Sequence, residues 1–167
     1  MPILDEQTLD FVSNSPVQTE RLGVRLGELL QPGDLICLAG ELGTGKTCLA
    51  RGISRGWGAL RSATSPSFTL IHEHPRASDG LALFHVDCYR LQTAAEALTV
   101  GLDDVLARPG VVMIEWPERV VSLLPPDWLW ITLRWVAETK RGIRLEASGR
   151  RNIELLAAFR RGAFGVR

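Results

Sequence analysis

Apolar residues recur along this chain in two rhythms: short unbroken blocks that read as strands, and positions three or four apart that read as helix faces. Residues 9–13 predict a short edge strand. Ser15 then offers a helix N-cap, Pro16 the first helical position, and Gln18 the closing side of a capping box. Leu22, Leu26, Leu29 and Leu30 give that helix its core stripe, and Pro32-Gly33 ends it. Leu35 to Ala39 is an apolar strand entered through a Pro-Gly-Asp turn. Leu49, Ile53 and Trp57 follow, four apart on one helix face. Further apolar blocks at 67–74, 81–87 and 111–116 predict strands, and the spacing of Leu98, Leu102, Val105 and Leu106 predicts a helix over 93–107. Residues 128–136 and 142–148 read as a hairpin, and 150–161 as a final amphipathic helix with a basic end.

Between the strand at 35–39 and the helix that follows lies "GELGTGKT", residues 40 to 47. Gly40, Glu41, Leu42, Gly43, Thr44, Gly45, Lys46 and Thr47 spell the full G-x-x-x-x-G-K-[ST] phosphate cradle, in the strand–loop–helix setting it requires. Its glycines let successive backbone N–H groups turn inward toward phosphate oxygens. Lys46 supplies a compact cation, the Thr47 hydroxyl a magnesium ligand, and the helix start its positive dipole end, next to Cys48. Without phosphates, the Lys46 charge is expected to be unpaired and solvated.

A phosphate cradle followed by alternating strands and helices predicts an α/β fold. We expect a single P-loop NTPase-like domain with a mixed, mainly parallel sheet and a C-terminal antiparallel hairpin. The domain is drawn over 1–149, with 150–167 as a helical extension.

Composition narrows the function. The 167 residues carry 19 basic and 19 acidic side chains, a formal net charge of zero, which argues against a strong grip on nucleic acid by this chain alone. No run approaches a membrane span, and the N-terminus lacks a signal peptide's basic start and apolar stretch. Cys37, Cys48 and Cys88 read as small buried hydrophobes in a reducing cytoplasm.

Hydrolysis or transfer also needs carboxylates near the metal. Two apolar strands end in them, at Asp87 and Glu115, where parallel strands open into a crevice. Taken singly, Asp87 reads equally as a helix cap or a partner for Arg90, and Glu115 as a solvated strand end. Residues 64–68 read either as a phosphate-sensing loop or as a plain turn around Pro66. Trp116 is open to stacking at the site or to core packing, and His72, His74 and His85 read as structural or solvated. No water-positioning glutamine or arginine finger can be picked out.

Together, "GELGTGKT", "SPSF", "HVDCYRL" (85–91), "GLDDVL" (101–106) and "IEWPE" (114–118) resemble, in order and spacing, the TsaE (formerly YjeE) family over roughly residues 9 to 149. The resemblance implies a small ATPase that binds ATP and Mg2+, docks on the TsaB and TsaD proteins, and supports threonylcarbamoyl transfer to an adenosine beside the tRNA anticodon. It implies phosphate and metal roles for Lys46 and Thr47, and acidic site roles for Asp87 and Glu115. It also implies that the Ser15–Thr19 helix start lies near the nucleotide base. Ser67 stands where the family has threonine, keeping the hydroxyl and losing the methyl. Two other readings are a small P-loop kinase acting on a metabolite and a switch that signals by nucleotide occupancy.

Overall fold

The computed structural model describes residues 5–60 and 70–165. There the apolar blocks become strands β1 (Thr8–Ser13), β2 (Leu35–Ala39), β3 (Ile71–Pro75), β4 (Ala82–Asp87), β5 (Gly110–Glu115), β6 (Trp128–Trp135) and β7 (Arg141–Ser148). The helices are α1 (Pro16–Leu29), α2 (Lys46–Trp57), α3 (Ala94–Thr99), α4 (Leu102–Ala107) and α5 (Arg150–Phe164).

One mixed sheet runs in the order β1-β7-β6-β2-β5-β4-β3. Parallel pairing is confined to its centre, β6-β2-β5-β4. Antiparallel pairing of β7 on β6, β1 on β7 and β3 on β4 forms both margins. The expected C-terminal hairpin is therefore part of the main sheet. Alternation along β2 sends Ile36 and Leu38 to one face and Leu35 and Cys37 to the other. The first face is covered by α1, α2 and α5, the second by α3 and α4.

The single helix expected over 93–107 is two. Gly101 takes a left-handed conformation, φ +94°, which lets the chain turn between α3 and α4. Leu102 and Val105 then point into the core, while Leu98 is left exposed.

The boundary at 149 does not set α5 apart from the domain. Leu155, Leu156 and Phe159 lie in the same core as Ile36 and Leu38. Arg151 also clamps the turn before β2, donating from Nε to Asp34 Oδ1 (3.0 Å) and from Nη2 to Asp34 Oδ2 (2.8 Å).

The start of α1 follows its capping sequence. The Gln18 N–H donates to Ser15 Oγ at 3.1 Å, and Gln18 Oε1 accepts from the Asn14 N–H at 2.7 Å, one residue before the cap. The packing of α1 on α2 depends on a feature that hydrophobic periodicity does not report. Gly23 and Gly27 on α1 face Gly52 and Gly56 on α2, each pair four residues apart and so on one helix face. A Cβ at Gly27 would stand 2.2 Å from Ile53 O, and one at Gly52 would stand 2.2 Å from Glu20 O. The two helices therefore touch backbone to backbone.

Because neither carbonyl can move without bending its helix, Gly52→Ala should cost about 3 kcal/mol of stability. Gly162→Ala is the control: a Cβ there meets nothing within 4 Å, and replacing a helical glycine should stabilise by about 0.5 kcal/mol. Urea unfolding of both variants checks the pair. Equal stabilities would show that the α1–α2 contact has room to spare.

Candidate nucleotide site at the ends of the parallel strands

β2 runs directly into the cradle, and α2 begins at Lys46 with Gly45, φ +98°, as its N-cap. Gly40 is required for space as well: a Cβ there would lie 2.4 Å from Leu133 O. On the neighbouring strands, Asp87 and Glu115 are register partners across β4 and β5, and Glu115 pairs in turn with Leu38 of β2. Three parallel strands thus end around one opening, the usual place for a ligand in such a sheet. A cavity of about 560 Å³ occupies it, with Gly43, Lys46, Thr47, Asp87, Glu115 and Trp116 in its wall.

The structure brings most of the sequence-derived residues together here. Leu42, Gly45 and Cys48 join the wall, whereas Gly40, Glu41 and Thr44 do not and shape the loop from behind. Thr44 is buried, and its hydroxyl donates to Glu41 O at 2.8 Å. Pro16 and Thr19 bring the start of α1 to the cavity, but Ser15 does not line it, its hydroxyl being engaged as the helix cap. Ser67 lies outside the described residues. Cys37 and Cys88 are core residues whose thiols are pushed up to about 12, mainly by burial. Cys48 is only half-buried and donates its S–H to Pro16 O at 3.1 Å, tying α2 to α1 beside the cavity.

Lys46 corrects one expectation. It is neither solvated nor unpaired: only 6% exposed, its Nζ donates to Gly40 O and to Glu41 O, the latter at 2.8 Å. It also stands 4.5 Å from the centre of the Trp116 ring. Burial lowers its pKa, opposed by the negative charges of Glu115, Glu118, Asp87 and Glu41. The loop's own carbonyls take the positions that an ammonium would otherwise fill with water.

Asp87 is about half-buried, and its Oδ1 accepts the Tyr89 N–H at 3.0 Å. Burial raises its pKa, and the adjacent Glu115 adds to the rise, while the Tyr89 N–H, His85 and Lys46 oppose it. Glu115 is 3% exposed, with Oε2 2.6 Å from His85 Nε2. Two close carboxylates and a threonine hydroxyl are hard oxygen donors that fit Mg2+. No set of three or more His, Cys, Asp or Glu side chains among the described residues forms a metal cage. The donor set suits an ion that keeps waters and takes part of its shell from phosphate oxygens.

Trp116 is the sole non-glycine with positive φ (+58°) among the described residues. Backbone strain of this sort persists where the surroundings hold it. Here the Trp116 N–H donates to Leu38 O at 3.2 Å, and Tyr89 packs on its ring at 5.1 Å. Trp116 thus packs against Tyr89 on one side and lines the cavity on the other.

Sequence reading missed Tyr89, Thr139 and Arg141 in the cavity wall, and gave Arg51 no place there. Arg141 opens β7, and its guanidinium donates to Ala137 O at 2.7 Å and to Gly43 O of the cradle at 3.3 Å. Nothing local to residue 141 signals this contact, because only closure of the β6–β7 hairpin onto the loop creates it.

The chain is similar to known proteins of one family. The family model described as "Threonylcarbamoyl adenosine biosynthesis protein TsaE" matches residues 13–143. A protein of Treponema pallidum named tRNA threonylcarbamoyladenosine biosynthesis protein TsaE is 40% identical over 133 residues, covering 79% of this chain and 96% of that one. Its namesake in Streptomyces coelicolor is 42% identical over 125 residues, covering 74% and 84%. Among solved structures, Bacillus subtilis YdiB superposes with a TM-score of 0.76 at 30% identity, covering 93% of this chain and 96% of that one.

Removing the grip of Arg141 on Gly43 should loosen the cradle and delete a cation from the cavity wall. Arg141→Ala is expected to weaken binding of a fluorescent nucleoside triphosphate about tenfold, the worth of one hydrogen bond to a charged group. Fluorescence titration measures it. An unchanged affinity would reduce Arg141 to a brace for its own hairpin.

Proposed function

This chain belongs to the TsaE family, and on that premise we propose that it is a P-loop ATPase of tRNA threonylcarbamoyladenosine biosynthesis. It binds Mg-ATP, docks on a TsaB–TsaD pair, and hydrolyses the nucleotide to support threonylcarbamoyl transfer by that pair in the cytoplasm. The observation that carries the reading is the convergence of Lys46, Thr47, Asp87 and Glu115 on one cavity at the ends of β2, β4 and β5.

In this reading the backbone N–H groups of residues 41–47 cradle the inner phosphates, with the start of α2 behind them. Lys46 leaves the carbonyls of Gly40 and Glu41 for the outer phosphates. The Thr47 hydroxyl and one of the two carboxylates would hold a magnesium ion, which would supply charge neutralisation when bound. The second carboxylate orients the attacking water. Trp116 and Tyr89 form an aromatic wall that excludes solvent, and the start of α1, through Pro16 and Thr19, approaches the base.

The chain's net charge of zero supports a division of labour in which the partners hold the tRNA. No helix among the described residues is long and apolar enough to cross a membrane. Residues that would complete the site for fast hydrolysis come from the partners.

Two outcomes are expected. At a nucleotide concentration about 100-fold above Kd, the wild-type chain should gain about 2.7 kcal/mol of stability, and Lys46→Ala less than half of that gain. Asp87→Asn and Glu115→Gln should keep nucleotide affinity and lose about 10²-fold or more of hydrolysis. Thermal melts with Mg-ATP and phosphate-release assays separate these effects, and full hydrolysis by both carboxylate variants would sink their assignment.

Turnover by the chain alone should lie at roughly 10⁻⁴ to 10⁻² per second, rising on the order of 10³-fold or more with TsaB and TsaD. Phosphate release measured with and without the partners tests this. Fast turnover by the chain alone, indifferent to the partners, would point instead to a free-standing ATPase or kinase.

A further inference from the structure

His85 lies on β4, two residues before Asp87, and it is fully buried. Its neighbours across the sheet are His72 on β3 and Met113 on β5. Its Nε2 meets Glu115 Oε2 at 2.6 Å, and its Nδ1 finds no hydrogen-bond partner among the described residues. A carboxylate only accepts, so the ring donates from Nε2 to Glu115.

As a stabilising device this pair is a poor choice. A buried polar pair seldom outdoes well-packed apolar side chains of similar size, and the face it occupies is otherwise lined by Leu83, Val111 and Met113. What the pair does achieve is directional. One oxygen of Glu115 is fixed from the core side, while the residue lines the nucleotide cavity.

We propose that His85 is a positioning residue that sets the orientation of the Glu115 carboxylate toward metal or attacking water through its Nε2–H. The inference rests on the ATPase reading of the same site and names a role in it for a residue that sequence reading left as packing. Partners of this kind behind a ligand or base characteristically matter by 10- to 100-fold.

The test uses the full chain with TsaB and TsaD, comparing His85→Leu, which fills the space without a donor, and His85→Gln, whose amide can replace Nε2–H. His85→Leu should lower kcat by about 10- to 100-fold with the Kd for a fluorescent ATP analogue unchanged. His85→Gln should recover a substantial part of kcat. Added to Glu115→Gln, His85→Leu should cause little further loss, since the group it orients is already disabled. Wild-type kcat in His85→Leu, or losses that multiply in the double variant, would overturn the proposal.

A second readout needs neither nucleotide nor turnover. In the ligand-free chain, imidazole nitrogen NMR should show His85 protonated at Nε2, with that proton's resonance moving upfield in Glu115→Gln. A resonance indifferent to Glu115→Gln would overturn the inference even if a misfolded leucine variant left the kinetics uninformative. Absence of hydrolysis by the wild-type complex would instead remove the ATPase reading, and the resonance would still decide whether His85 holds Glu115.

Discussion

Four glycines set the distance between two helices, and the geometry of the cavity follows from that distance. With Gly23 and Gly27 against Gly52 and Gly56, α1 and α2 meet through their backbones, closer than any side chain would permit. α2 is fixed by its own start, because Lys46 must follow the cradle. The glycine contact then fixes α1 relative to α2, which brings Pro16 and Thr19 to the cavity and lets Cys48 reach Pro16 O. A wider spacing would leave the cradle intact and withdraw one wall of the site.

Electrostatics sets the second constraint. The cavity gathers acidic groups around a single buried ammonium, and each side perturbs the other. Burial makes the Lys46 charge costly, and the surrounding carboxylates offset that cost. Asp87 carries the same conflict with the opposite sign, raised by burial and by its neighbour Glu115. Titratable groups of both signs perturbed together in one cleft are the pattern expected of a functional site. In the proposed reading, phosphates would answer the lysine and a divalent cation the carboxylates.

How much of this was legible in the sequence depends on the distance over which each signal acts. The cradle, the cap at Ser15 and the strands ending in Asp87 and Glu115 are written in consecutive residues, so local chemistry is enough to read them. The break at Gly101 is equally local, but the leucines on either side kept helical spacing and hid it. The glycine contact was not legible, because residues without side chains add nothing to a hydrophobic rhythm. Arg141 and His85 acquire their roles only when β7 and β4 are laid beside elements far away in sequence. The same holds for α5, drawn from the sequence as an extension with a basic end. One of its basic residues, Arg151, is clamped on Asp34, and apolar neighbours on the same helix enter the core.

The order of the strands also bears on how the chain reaches this state. β1 pairs with β7, in a register that joins Thr8 to Glu146, and β2 lies between β5 and β6. Nearly the whole chain must therefore be present before the first strand finds its neighbour, and the central strand waits for partners some 75 to 95 residues downstream. Closing loops of that size before their contacts form makes folding slow relative to chains built from local contacts. During synthesis α1 and α2 can meet early through their glycine contact. The carboxylates of β4 and β5 reach the cradle before β7 is made, but Arg141 reaches Gly43 only with that last strand, so a chain truncated before β7 would lack one wall of the site.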